Sequence, residues 1–138
     1  MPNGIDLIVA DHQRVSQLFS QFDSTGNATV VGEIVDALRA HDDAEHAALY
    51  PLAGRLLGDE KMVVRSAAAH SAVKKQIDVL TTLEGLPLVA AVSGLRKLVD
   101  KHVADEEKNL FPALTAAATA QQLDALGARI MQAKQRGG

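Results

Sequence analysis

Two segments of the chain, residues 41–51 and 102–112, share one pattern and lie 61 positions apart (102 − 41). Each begins with His-x-x-x-Glu and ends with a leucine, an aromatic residue and a proline. Four residues is slightly more than one turn of an α-helix, so each histidine lies on the same helical face as its glutamate. The repeat therefore predicts two helices that each present a His/Glu pair, an arrangement that suits a metal site.

Apolar residues recur at spacings of three and four and do not alternate, which predicts helices rather than strands. Five helices are predicted. The first covers about residues 4–23, the second runs from an N-cap at Thr29 to Gly58, and the third runs from an N-cap at Asp59 to Gly85. The fourth runs from Pro87 to Pro112, and the fifth covers about residues 120–134 after a capping box at Thr119. We expect Pro51 to kink the second helix near its end and the tail from Lys134 to fray.

Short connections between four amphipathic helices predict an all-α fold, an up-down-up-down four-helix bundle over about residues 4–114 with a short additional C-terminal helix. The 138 residues and the 47% apolar content fit one domain over residues 1–138 with a real core. His12 precedes His70 by 58 positions (70 − 12), which indicates two similar helical hairpins.

Charge and cysteine content exclude several classes of protein. The 14 basic and 17 acidic residues give no electrostatic footprint for nucleic acid. The absence of cysteine fits a reducing compartment, so we expect a cytoplasmic protein. The apolar stretch over residues 7–10 is too short for a membrane span or a signal core. The oligomeric state is left open.

Four histidines fall within the apolar stripes, one on each helix of the predicted bundle, and two are followed one turn later by a glutamate. Any one inward histidine has an alternative interpretation as a hydrogen-bonded core residue, and a single His-x-x-x-Glu pair as a solvated surface pair. The coincidence on four helices favours a metal site, because buried carboxylates are costly without a cation. The predicted ligands are His12, His41, Glu45, His70, His102 and Glu106.

Imidazoles and carboxylates without sulfur suit iron, manganese or zinc. Six ligands exceed what one ion usually takes from a protein, so two ions bridged by Glu45 and Glu106 is the economical arrangement. Ferritin-like di-iron bundles use Glu-x-x-His, in which the glutamate comes first. The order here is reversed and the spacing is four, which argues against a ferritin-like site.

The arrangement of His on helix one, His-x-x-x-Glu on helix two, His on helix three and His-x-x-x-Glu on helix four resembles the hemerythrins and the related HHE cation-binding domains. The Leu-Tyr-Pro and Leu-Phe-Pro segments resemble that family too. The resemblance covers nearly the whole chain. It implies a non-haem di-iron centre, bridged by the two glutamates and an oxo or hydroxo group and able to bind oxygen species.

Two departures from the oxygen-carrying hemerythrins limit the resemblance. Their helix three supplies two histidines a turn apart, whereas Lys74 lies one turn after His70 here. They also use a carboxylate five residues after the helix-four histidine, which is Glu107 here, although Glu106 fits the broader HHE pattern. His46 is a possible replacement ligand if the helix bulges, and otherwise a rim residue. Tyr50 is a further possible ligand, with core packing as the alternative.

A site with fewer histidines leaves more positions open to water, peroxide or nitric oxide. We therefore expect a protein that handles reactive oxygen or nitrogen species, for example by catalase-like disproportionation of peroxide. Bacterial stand-alone hemerythrin-like proteins, including a mycobacterial group associated with peroxide handling, are similar in length and layout. The alternatives are reversible dioxygen binding for storage or sensing, and iron storage without catalysis.

Overall fold

The computed structural model describes residues 3–58 and 60–137, and within them the chain forms helices and no strands. The helices are α1 (Gly4–Thr25), α2 (Ala28–Ala44), α3 (Tyr50–Leu57), α4 (Glu60–Leu80), α5 (Gly85–Asp105), α6 (Phe111–Ala117) and α7 (Ala120–Gly137). Two widened turns, π1 (Glu45–Leu49) and π2 (Glu106–Leu110), join α2 to α3 and α5 to α6 without a break. The predicted all-α bundle with an additional C-terminal helix is confirmed.

The turn between the first two helices shows how local chemistry ends one helix and begins the next. Gly26 closes α1 with a φ of 63°, a left-handed conformation that glycine adopts without steric cost. Asn27 then caps α2, because its side-chain oxygen accepts a hydrogen bond from the Thr29 N–H at 2.9 Å. The prediction of Thr29 as the cap is wrong, since Thr29 is already helical. The predicted cap at Asp59 lies outside the described residues.

The C-terminal helix begins as predicted and extends further than predicted. The Gln122 N–H donates to Thr119 Oγ1 at 3.1 Å, and the Thr119 N–H donates to Gln122 Oε1 at 2.8 Å. This is the reciprocal pattern of a capping box. The helix then continues to Gly137, and Lys134 is held by an ion pair with Asp11. The predicted end of this helix at about residue 134 is therefore too early.

The widened turns accommodate the prolines of the sequence repeat. In π1 the Tyr50 N–H donates to the Glu45 carbonyl five residues earlier, and in π2 the Phe111 N–H donates to the Glu106 carbonyl. A proline has no N–H, and its ring collides with the carbonyl four residues earlier in a regular helix. The wider turn before Pro51 relieves that conflict and lets the helical rod continue.

Two apolar clusters fill the interior. The first joins side chains of α1, α2, α4 and α5, among them Phe19, Ile34, Ile77 and Leu95. The second joins the start of α1, the two widened turns with the helices after them, and Leu123, Leu126 and Ile130 of α7. The C-terminal helix is thus a full part of the core. None of the helices in the described part of the chain is long and apolar enough to cross a membrane.

Candidate metal centre

The six predicted ligands meet in the interior, between the two apolar clusters. The four histidines come from α1, α2, α4 and α5, and the two glutamates are the first residues of π1 and π2. Each histidine is at most 7% exposed and each glutamate is 0% exposed. The sequence periodicity predicted that these six side chains face inward, and all six are buried in the structure.

The ligand atoms form two groups that share both carboxylates. The first group is His12 and His41 with Glu45 and Glu106, and the second is His70 and His102 with the same two glutamates. Within each group the nitrogen and oxygen atoms lie within 4.8 Å of one another. Each group therefore offers two imidazoles and the two shared carboxylates. Two such groups side by side are a donor set for a pair of cations.

Each glutamate turns one oxygen to the first group and the other to the second. Glu45 Oε1 lies 4.0 Å from His12 Nε2, and its Oε2 lies 3.5 Å from His70 Nε2. Glu106 Oε1 lies 3.3 Å from His12 Nε2, and its Oε2 lies 3.3 Å from His102 Nε2. This division of oxygens is the geometry that carboxylates need in order to bridge two cations.

Several of the inner nitrogen and oxygen atoms have no hydrogen-bond partner among the described residues. These buried atoms include His12 Nε2, Glu45 Oε2 and Glu106 Oε1. His70 Nε2 and His102 Nε2 face each other at 2.7 Å. Unpaired buried acceptors cost free energy that a cation in their midst would recover. The residues present therefore fit a metal centre.

Burial and mutual charge also set the protonation of the first group. Burial disfavours the charged form of His41, but the carboxylates of Glu45, Asp11 and Glu106 together outweigh burial and raise the pKa of His41 to about 10. Burial raises the pKa of Glu45 to about 7, against the attraction of His41. Burial opposes ionisation of Glu106, but hydrogen bonds from Glu45, His102 and His12 together with the charge of His102 hold its pKa well below its usual range. The cluster thus holds protons that a cation would replace.

The second group contrasts with the first. Burial, together with the neighbouring His102, lowers the pKa of His70 to about 4. For His102 burial favours the neutral form, but the hydrogen bond to Glu106 and the charges of Glu106 and Glu45 together outweigh burial and raise the pKa. Near neutral pH His70 is therefore a neutral imidazole, the form that ligates metals.

Acidic side chains hold the outer nitrogens of three of the four histidines. His12 Nδ1 lies 3.1 Å from Glu107 Oε1, and His41 Nδ1 lies 3.4 Å from Asp11 Oδ2. His70 Nδ1 is bonded to Asp42 Oδ1. A carboxylate on one ring nitrogen fixes the tautomer and leaves the other nitrogen for a metal. The Nε2 atoms of these rings face the shared glutamates, as that scheme requires.

Asp11 and Asp42 are contacts that sequence reasoning missed. Asp42 is buried, with only 8% of its surface exposed. Asp11 precedes His12 of α1 in the sequence but contacts His41 of α2. In the same way, Asp42 follows His41 of α2 but contacts His70 of α4. Periodicity within one helix carries no signal for such contacts between helices.

The additional candidates occupy distinct places. Tyr50 lies inside, with its hydroxyl 2.9 Å from His70 Nε2 and donating to Glu106 Oε2 at 3.1 Å. His46 has a side chain that is 45% exposed and lies at the rim, 3.2 Å from Asp42 Oδ1. The helix does widen at His46, but its imidazole stays outside both groups. Glu107, with a side chain 40% exposed, contacts the outer nitrogen of His12.

A helical bundle with a buried set of imidazole and carboxylate donors defines a class, the cation-binding helical bundles. The sequence profile of the Hemerythrin HHE cation binding domain matches residues 3–114, and the chain belongs to this family. The predicted resemblance is thereby confirmed.

A solved structure supports the fold. The chain is similar to a hemerythrin HHE cation binding domain-containing protein from Mycobacterium kansasii, with a TM-score of 0.85 and 19% sequence identity. The match covers 99% of this chain and 88% of that chain. No curated protein matches the chain.

Proposed function

We propose that the chain binds two iron ions between its histidines and decomposes peroxide at the pair. The observation that supports this most directly is the division of the carboxylate oxygens, one from each glutamate to each group. His12 and His41 would hold one ion, His70 and His102 the other, and Glu45 and Glu106 both. Imidazole and carboxylate donors also accept manganese and zinc, and iron is the choice that the family favours.

The small number of histidines supports a reactive centre over a carrier. On helix α4, the side chain one turn beyond His70 belongs to Lys74, which is 62% exposed and paired with Asp42 at 3.1 Å. Its ammonium group is thus engaged by Asp42, so α4 would contribute one nitrogen ligand, from His70, to the second ion. A site with fewer protein ligands leaves more positions for a small molecule.

The iron pair, when bound, would supply the exchange of two electrons by which one hydrogen peroxide is reduced to water and a second is oxidised to dioxygen. The chain's own residues would bind and orient the metal ions and limit access to them. A cavity reaches all four histidines, and its walls include the aliphatic side chains of Val15, Leu38, Val73, Ile77 and Val99. The aliphatic walls suit small uncharged molecules, including peroxide, nitric oxide and dioxygen, and the charged side chains of Arg39, Asp42 and Lys74 line the rest of the cavity.

The test is oxygen evolution from hydrogen peroxide by the iron-loaded chain, measured with an oxygen electrode. We expect evolution that is lost in the His41→Ala/His102→Ala double variant, which removes one imidazole from each group. Lys101→Ala alters an exposed neighbour of His102 and should evolve oxygen at the normal rate. Equal rates for the chain and the double variant would refute the proposal. A visible band that bleaches under vacuum and returns with oxygen would favour reversible dioxygen binding instead.

A further inference from the structure

The C-terminal helix reaches the candidate metal centre through a chain of two side chains. Helix α7 lies beyond the residues that the family profile matches, and it packs against α1, α2 and π1. Leu123, Leu126 and Ile130 anchor it in the second apolar cluster. Its last turns therefore have a fixed position over the first histidine group, and they place Lys134 beside Asp11.

Asp11 connects Lys134 to a candidate ligand. Its Oδ1 forms an ion pair with Lys134 Nζ, and its Oδ2 lies 3.4 Å from His41 Nδ1. Asp11 has a side chain 20% exposed and that of Lys134 is 33% exposed, so both are partly shielded from water. The order is lysine, aspartate, histidine, and the far nitrogen of the histidine faces Glu45.

The same order occurs in the second group. Lys74 Nζ lies 3.1 Å from Asp42 Oδ2, and Asp42 Oδ1 is bonded to His70 Nδ1. The lysine there comes from α4 itself, one turn after the histidine, whereas the first group takes its lysine from α7. In each group, therefore, one histidine contacts an aspartate, and that aspartate forms an ion pair with a lysine.

A lysine on one carboxylate oxygen restricts the rotation of that carboxylate. The other oxygen is then directed at the imidazole N–H, which fixes the orientation of the ring and the nitrogen that faces the metal. Loss of an outer partner of this kind typically weakens metal binding by about 10- to 100-fold. An uncharged replacement for the lysine would leave Asp11 free to turn towards solvent.

We propose that Lys134 is a positioning residue that acts through Asp11 on His41, so that the C-terminal helix sets how tightly the first of the two ions is held. This inference rests on the proposed function, since it requires two bound ions. It adds the residues beyond position 114 to those that determine the properties of the centre.

The experiment measures metal release from the full chain loaded with Co²⁺, which serves as a spectroscopic probe in place of iron. A strong chelator is added, and the loss of the Co²⁺ absorption bands is followed with time. We expect Lys134→Met to speed the release of one of the two ions at least about 10-fold and to leave the other unchanged. Lys134→Arg should restore slow release because it keeps a cation at that place.

Three comparisons keep the test specific. Arg129→Met removes an exposed cation from the same helix and should release both ions at the normal rates. Lys74→Met should speed the release of the other ion, and in the double variant both should leave quickly. If Lys134→Met folds poorly, Asp11→Asn gives the same test, because it removes the carboxylate between Lys134 and His41.

The inference is overturned if Lys134→Met leaves both release rates unchanged, speeds both equally, or speeds the same ion as Lys74→Met. It is also overturned if the chain takes up fewer than two ions. A chain that shows the expected release pattern but does not decompose peroxide would retain the role of Lys134 while refuting the proposed function.

Discussion

Glu45 and Glu106 have the most demanding environments of any residues in the described part of the chain. Both carboxylates are fully buried, and both contact histidines of two groups. Burial of a carboxylate costs several kcal/mol unless a cation or hydrogen bonds compensate it. His41 supplies part of that compensation within the chain, and the unpaired oxygens indicate that a cation supplies the rest.

Replacement of a shared ligand should have a larger effect than replacement of an unshared one. Glu45→Gln keeps the size of the side chain but removes a carboxylate that both groups use, so we expect it to lose both ions. His12→Gln removes a ligand of the first group alone and should retain about one ion per chain. Elemental analysis of iron-loaded, desalted protein measures both. Equal metal content in the two variants would contradict a bridging role for Glu45.

Tyr50 should matter for the second ion only. Its hydroxyl contacts His70 Nε2 and Glu106 Oε2, which belong to the second group. We expect Tyr50→Phe to weaken binding of one ion by about 10-fold or more and to leave the other nearly unchanged. Competition titration with a metal indicator measures the two affinities. A visible band of the iron-loaded chain that disappears in Tyr50→Phe would indicate direct ligation, and unchanged affinities would place Tyr50 in the core alone.

At the scale of the elements, the two widened turns determine what faces the centre. Each begins with a glutamate and is followed by an aromatic residue, and the two starts lie 61 positions apart (106 − 45), the same interval as the sequence repeat. The extra residue in each turn brings Tyr50 to the second histidine group in the first case and Phe111 to the ring of His12 in the second. The sequence predicted a disturbance at Pro51, but the form it takes depends on how the rod packs.

The contact between α1 and α7 gives a prediction for an element boundary. Gly4 begins α1 directly against Leu126, and a Cβ added there would lie only 2.8 Å from the Leu126 Cβ. We expect Gly4→Ala to lower the free energy of unfolding by about 1 to 3 kcal/mol, because the two helices must separate. Chemical denaturation measures this change.

A matched substitution tests the cause of that change. Gly32 lies on α2 with open space around it, so Gly32→Ala should raise stability by about 0.5 to 1 kcal/mol through better helix propensity. Addition of Leu126→Ala to Gly4→Ala should remove most of the steric penalty in a double-mutant cycle. A Gly4→Ala variant as stable as the original chain would show that α7 does not pack closely on α1.

At the scale of the whole molecule, the candidate centre lies where the two apolar clusters meet. On α1, for example, Ile8 belongs to the second cluster and Val15 to the first, with His12 between them. The helices α1, α2, α4 and α5 each contribute one histidine at this level. A cation bound there would tie four helices together, so its binding and the folding of the bundle should be coupled.

Metal binding should therefore stabilise the whole chain. Free metal at about 100 times its dissociation constant adds about 2.7 kcal/mol per bound ion to the free energy of unfolding, which corresponds to a rise in Tm of roughly 10 °C for each ion. Calorimetry with and without a chelator measures the rise. The Glu45→Gln variant should show almost no metal-dependent rise in Tm.

The rise in Tm should grow as the pH increases from about 6 to about 8. The carboxylates of Glu45, Asp11 and Glu106 together raise the pKa of His41 to about 10 in spite of its burial, and burial raises the pKa of Glu45 to about 7. Protons therefore compete with the cation at both ligands. A higher pH removes this competition and tightens metal binding. A rise in Tm that does not change over this range would show that these two side chains do not exchange protons for metal.

The amino-acid sequence by itself determined the helices, their inward faces and the residues that those faces bring to the interior. His41 with Glu45 and His102 with Glu106 could be recognised because helical periodicity is a local property, readable from one segment at a time. Tertiary structure decided which atoms meet: the division of the carboxylate oxygens between two groups, Asp42 on His70, and Asp11 with Lys134 on His41. The physical reason is that the rotation and axial position of one helix against another arise from packing over the whole core, and no single segment of sequence contains that information.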